Sequence, residues 1–204
     1  MIVSTKDFED LGKRNSRHPR NLWSVLVVVA IVSGEVLAQS PKHPCAGDVI
    51  PDAIQQLVDK QFPGWRIEDL PDLSDEYQQV WTNKHSLECP GFAAGHFQAG
   101  GVTSYAALLI RSRSAQSGSK LIFFSPAPNH QWRSKVLNEE TTSYNYETVF
   151  KAPPGKYAGA KGANAVRTTL DAFQMEAFAD TTTLYYWRDG RFHTLVTVDE
   201  SPAQ

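Results

Sequence analysis

Thr182-Thr183-Leu184-Tyr185-Tyr186-Trp187-Arg188-Asp189-Gly190-Arg191-Phe192-His193-Thr194-Leu195-Val196-Thr197-Val198 is the stretch on which the fold turns. Two runs rich in Thr, Leu, Tyr, Phe and Val flank a single Asp-Gly pair. β-branched and aromatic side chains suit a pleated surface, and Asp-Gly accepts the two positive φ angles of a type I′ turn. The stretch therefore predicts a tight antiparallel hairpin, Thr182 to Arg188 against Phe192 to Val198. Alternation puts Tyr185 and Trp187 on one face and Leu184 and Tyr186 on the other. Both faces carry large apolar groups, so one is core and the other is covered or open to a partner.

Six more runs of the same kind lie upstream: Phe92 to Phe97, Ser104 to Arg111, Lys120 to Phe124, Gln131 to Leu137, Glu147 to Phe150 and Ala172 to Phe178. Each is bounded by Gly, Pro, Asn, Asp or Ser. They follow one another without helices, which implies antiparallel pairing. Helical spacing occurs only earlier. Ile50, Ile54, Leu57, Val58 and Phe62 form one apolar stripe that opens near Pro51 and ends at Pro63-Gly64. A second helix starts near Ser74, with Leu73, Tyr77, Val80 and Trp81 on one side. The expected fold class is α+β, one or two N-terminal helices packed on an antiparallel sheet of about six to eight strands. Lys151 to Asn164 is the least regular stretch and is expected to be a long mobile hairpin loop. Its Gly and Lys residues do not make a phosphate cradle, because Lys161 precedes Gly162 and Ala163 rather than Ser or Thr.

The first forty residues obey different rules. Lys13, Arg14, Arg17 and Arg20 precede the apolar run Leu22 to Val32, and Val36-Leu37-Ala38 offers a signal-peptidase end. The run stops short of the roughly 20 apolar residues a spanning helix needs. Residues 1–38 are read as a signal peptide, cleaved after Ala38, and 39–204 as a single globular domain. An uncleaved signal anchor is the alternative. The expected location is periplasmic or secreted. Cys45 and Cys89 both lie in the mature part, and an even count in an oxidising compartment favours a disulfide between them. Two buried thiols or a metal site are the alternatives, the latter disfavoured because neither Cys has a CxxC partner.

The full chain has 204 residues and formal net charge −2, and 41% of it is hydrophobic. That composition excludes a disordered chain, a collagen-like repeat and a multi-span membrane protein. Charge is uneven: residues 91–170 hold nine basic and three acidic side chains, and the segments on either side are acidic. Eight of the nine form the candidate basic set: Arg111, Arg113, Lys120, Arg133, Lys135, Lys151, Lys156 and Lys161. It either decorates solvent faces or presents one face to an anionic extracytoplasmic partner. Nucleic acid is not expected of an acidic exported domain without a recognisable module.

Cys89-Pro90-Gly91-Phe92-Ala93-Ala94-Gly95-His96-Phe97-Gln98-Ala99-Gly100-Gly101-Val102-Thr103-Ser104-Tyr105-Ala106-Ala107-Leu108-Leu109-Ile110 resembles the strand-loop-strand unit of FG-GAP-like repeats, whose loop holds calcium through carboxylates. Here His96, Gln98, Gly100 and Ser104 stand in the ligand places. The resemblance implies a hairpin, while the residues argue against Ca²⁺, which prefers several charged oxygen ligands. With the Phe62-Pro63-Gly64-Trp65 helix end and the closing hairpin, the chain also resembles uncharacterised exported bacterial single-domain proteins. That likeness implies a shape and a compartment and no activity.

Catalytic signatures fail one by one. No two of His43, His85, His96, His130 and His193 have metal-ligand spacing, no Ser sits in G-x-S-x-G, and Glu139-Glu140 is expected to be a solvated turn. The expected function is a non-catalytic binding or interaction module, with no cofactor and no metal. Its candidate site residues are His96, Gln98, Tyr185 and Trp187. The alternative is a small cell-envelope hydrolase drawing His96, His130 or His193 from separate strands as acid and base.

Overall fold

The computed structural model describes residues 43–86, 88–111, 118–141, 147–177 and 181–197. The segment read as a signal peptide therefore lies outside the described residues, as do Ser112, Arg113, Ser114, Ser117, Tyr144 and Tyr146. Helix α1 spans Asp52–Gln61 and α2 spans Asp75–His85, with Pro51 and Ser74 at their N-caps. Both helices begin and end close to where the apolar spacing places them. Gly64, at φ +81°, turns the chain out of α1 into the first strand.

Eleven strands are present among the described residues: β1 Trp65–Ile67, β2 Phe92–Gly95, β3 Ser104–Arg111, β4 Ser119–Ala127, β5 Gln131–Glu140, β6 Glu147–Ala152, β7 Lys156–Tyr157, β8 Val166–Arg167, β9 Ala172–Ala177, β10 Thr181–Arg188 and β11 Arg191–Thr197. All eight expected strands are there, and every ladder is antiparallel. The expectation of a single sheet is corrected to three. The first has the order β1-β3-β4-β5 with β2 also paired to β3, the second β11-β10-β9-β6, and the third β7-β8. Along β3, β2 covers Ser104 to Ala107 and β1 covers Leu109 to Arg111, so two short strands share one edge.

Three layers of apolar contact hold the domain together. Ile54 and Val58 of α1 bury the stripe against Ala107, Leu109, Ile122 and Phe124 on one face of the first sheet. The opposite face, Leu108, Leu121 and Phe123, meets Val149, Phe173, Met175 and Tyr185 of the second. Strand β3 is thus covered on both sides, which is why its sequence runs apolar without alternation. On the outer face of the second sheet, Trp81 and Leu73 of the α2 region pack with Phe150, while Tyr157 and Val166 cover Ala172 and Leu184.

The hairpin expected over Lys151 to Asn164 is present but packed against the domain. The segment carries β6 to its end and supplies β7, whose partner β8 follows at Val166, and Tyr157 and Val166 seat this small hairpin on the apolar outer face of Ala172 and Leu184. Two-residue strands are too short to show a period, so only packing reveals them. The Glu139-Glu140 turn is corrected too: both residues end β5, paired with Lys120 and Ser119. Cys45 and Cys89 form the expected disulfide, with Cα atoms 4.7 Å apart. No helix among the described residues is long and apolar enough to cross a membrane.

Candidate ligand-binding cleft

The two packed sheets part at one end, where the β10-β11 hairpin stands over β4 and β5. Asp189 (φ +50°) and Gly190 (φ +75°) make the two-residue turn between paired Arg188 and Arg191. Both positive angles are those of a type I′ turn. The turn fixes Trp187 opposite Phe192, with ring centroids 5.1 Å apart and edge to face. Phe192 in turn meets Phe123 of β4 at 4.5 Å. These aromatic rings line one side of a cleft of about 350 Å³.

Strand β5 builds the other side. Phe123 pairs with Lys135 and Ser125 with Arg133, so alternation turns both cations to the face that carries Phe123. Both line the cleft and both are exposed. Their isolation is informative. Lys84, Lys120 and Lys151 each find a carboxylate, on Glu176, Glu139 and Asp171 respectively. Neither Arg133 nor Lys135 has an ion-pair partner among the described residues. Two like charges on one strand face repel, and an incoming anion relieves that repulsion while accepting hydrogen bonds.

The described members of the basic set do not gather on one face. Arg111 and Lys120 lie over the Trp65 ring, at 5.2 and 4.8 Å, and Lys151 pairs with Asp171 at 3.1 Å. Among the described residues of the basic set, Arg133 and Lys135 line the cleft.

Of the residues expected at a site, Gln98 and Trp187 both line this cleft. Gln98 is brought there by buried Phe97, which packs edge-on against Phe123 and Phe173. Tyr185 is placed elsewhere: it stacks on Phe173 at 5.2 Å inside the core. Burial, reinforced by Glu140 and Glu147, pushes its phenol up to about 12. His96 is exposed beyond the end of β2, and its backbone N–H donates to Asp171 Oδ2 at 2.9 Å. His130 sits at the β4-β5 connection with φ +57°, and His193 stacks on Tyr186 on the outer face of the second sheet. No hydrogen bond or ring contact joins any two of these three histidines among the described residues.

Phe123, Ser125, Arg133, Ser134, Lys135, Gly190 and Phe192 are the cleft residues that were not among the expected site residues. Alternation along β5 was the available signal for Arg133 and Lys135, since it places them on one strand face. Their meeting with Trp187 depends on how two sheets pack, which local patterns do not encode.

A second polar constellation lies between the sheets at their other end. Glu147 of β6 is buried and its carboxyl is pushed up to about 7, chiefly by burial, with Glu140 adding to the rise and a hydrogen bond from Ser119 opposing it. Glu68, after β1, is buried, and its carboxyl is likewise raised well above the usual range, chiefly by desolvation. No group of three or more metal-ligating side chains occurs among the described residues. Comparison with protein-family models, curated proteins and solved structures gives no match, so what the cleft does is argued from its own residues.

Proposed function

We propose that this chain is an extracytoplasmic, non-catalytic binding module whose cleft takes an anionic ligand carrying a planar apolar group. The observation that carries this is the pair Arg133 and Lys135, without carboxylate partners among the described residues, facing Trp187 and Phe192 across the cleft. Cations supply attraction and hydrogen bonds to the anion, and the aromatic edges and faces supply contact area for the planar part. A cleft of about 350 Å³ is at the small end of ligand sites, which fits one ring system with its charged group rather than a polymer. The Cys45–Cys89 disulfide and the leader-like N-terminal sequence support an oxidising location outside the cytoplasmic membrane.

Naphthalene-2-sulfonate, which joins a planar ring to an anion, is a direct probe. Calorimetric titration is expected to show one site whose affinity falls at least tenfold in Arg133→Gln/Lys135→Gln and in Trp187→Ala. The affinity also weakens as salt rises from 20 to 500 mM, because exposed charges are screened. Absence of binding at millimolar probe, or binding indifferent to both variants, refutes the assignment.

A further inference from the structure

The first and second sheets are stitched together through their backbones at a seam. Gly91 and Val149 form a parallel bridge, and the Val149 N–H donates to the Pro90 carbonyl at 2.7 Å. Around it, the Leu108 N–H donates to Gly91 O at 2.9 Å and the Glu68 N–H to Leu108 O at 3.0 Å. The seam thus depends on Glu68, Gly91, Leu108 and Val149 staying in register. Gly91 is required by close approach, since a Cβ there would lie 2.3 Å from the Glu68 carbonyl oxygen.

Two carboxyl groups are buried beside this seam, one from each sheet. Glu68 follows β1 and is 1% exposed; Glu147 opens β6, two residues before Val149, and is 3% exposed. Each has an Oε2 atom without a hydrogen-bond partner. The groups that face them come from every neighbouring element. Arg66 and Asp72 lie on the Glu68 side, engaged with each other through both guanidinium nitrogens. Ser119 of β4 hydrogen-bonds Glu147, Glu140 of β5 approaches it while accepting from Asn138, and the Tyr185 phenol of β10 completes the enclosure. Among the described residues one cation, Arg66, stands with four carboxyl groups, and it is committed to Asp72. Glu147 charge acts unfavourably on Glu68, and Glu140 charge on Glu147.

We propose that Glu68 and Glu147 form a pH-operated clasp on the seam between the two sheets, closed when both are protonated and opened when they ionise. A neutral carboxyl tolerates the apolar enclosure, whereas an ionised one demands solvent or a cation, and among the described residues the seam offers only Arg66, already engaged with Asp72. The cheapest relief is local separation of the Gly91–Val149 bridge, which admits water to both carboxylates.

Amide hydrogen exchange of the purified protein tests this, read at pH 5 and pH 8 and corrected for the intrinsic rate. Protection of the Glu68, Leu108 and Val149 amides is expected to fall at pH 8 at least tenfold more than that of the Tyr185 and Thr194 amides of the β10-β11 ladder, which share only the loss of global stability. Glu147→Gln, neutral at both pH values, abolishes most of the difference, and Glu68→Gln the remainder. Should Glu68→Gln fail to fold, Glu147→Gln alone carries the test. Equal protection at both pH values overturns the clasp. So does a loss spread uniformly over all strands, or one that persists unchanged in Glu147→Gln.

Discussion

Gly91 shows how one position binds several parts of the molecule. Any side chain there would place Cβ 2.3 Å from Glu68 O and 2.8 Å from Glu68 N, both backbone atoms that cannot swing aside. Gly91→Ala is therefore expected to destabilise the domain by more than about 2 kcal/mol, read as a lower urea midpoint at unchanged m-value. Gly162, at φ +79° with open space around its missing Cβ, is the matched control: Ala there meets only left-handed backbone strain, about 1 kcal/mol. Asp171 works by charge instead. Burial would raise its carboxyl, yet the His96 N–H and the Lys151 ammonium hold it below the usual aspartate range. A depressed carboxylate contributes stability above its unfolded value, 3.8, and loses it as pH falls through the lower folded one. Melting temperatures between pH 2.5 and 5 should therefore drop more steeply in the natural chain than in Asp171→Asn.

Among the elements, the β10-β11 hairpin is the one whose sequence and geometry agree most closely. Asp189 and Gly190 both take positive φ, and the ladder runs in register from Arg188↔Arg191 to Thr182↔Thr197. Gly190→Ala is expected to cost about 1 kcal/mol through its left-handed backbone, and to weaken probe binding because Gly190 itself lines the cleft. Urea unfolding and the same calorimetric titration separate the two effects. Long strands and both helices were legible because four or more residues suffice to show a period. Strands β1, β7 and β8 were not, having two or three residues each. Trp65-Arg66-Ile67 is a strand only because the edge of β3 beyond β2 needs backbone partners. In the cleft, Trp187 and Gln98 stood out by residue type and hairpin position. The pairing of Arg133 and Lys135 with that hairpin is set by the meeting of two sheets, more than fifty residues apart in the chain. Glu68 gave no signal at all, since an acidic residue after a helix and a short apolar segment reads as surface.

At the scale of the whole molecule, covalent and ionic constraints converge on the seam. The Cys45–Cys89 bond spans 44 residues and delivers the chain directly into Pro90-Gly91, while His43 and the Cys45 N–H dock on Asp69, next to Glu68. Loop closure of that length is worth about 4 kcal/mol in the chain-entropy model. Cys45→Ala/Cys89→Ala is expected to lower the free energy of unfolding by about that amount in urea titration. The ionic constraint sets where in pH the domain is firmest. A buried carboxyl whose folded value is raised keeps its full contribution below the unfolded value, 4.5, and loses it as pH climbs through the folded one, about 7 for Glu147. That single shift amounts to about 3 kcal/mol lost between those pH values, and Glu68, raised by the same burial, adds a loss of the same sign. Asp171 has the opposite sign and erodes stability only below about pH 4. The two limbs together place the stability maximum near pH 4 to 5, on the acid side of neutrality. Chemical denaturation from pH 3 to 9 should trace that peak. Glu147→Gln should flatten its alkaline limb and leave the acid limb in place, whereas Asp171→Asn should flatten the acid limb alone. A maximum at pH 7 or above in the natural chain contradicts the placement of Glu68 and Glu147 as neutral groups inside the seam.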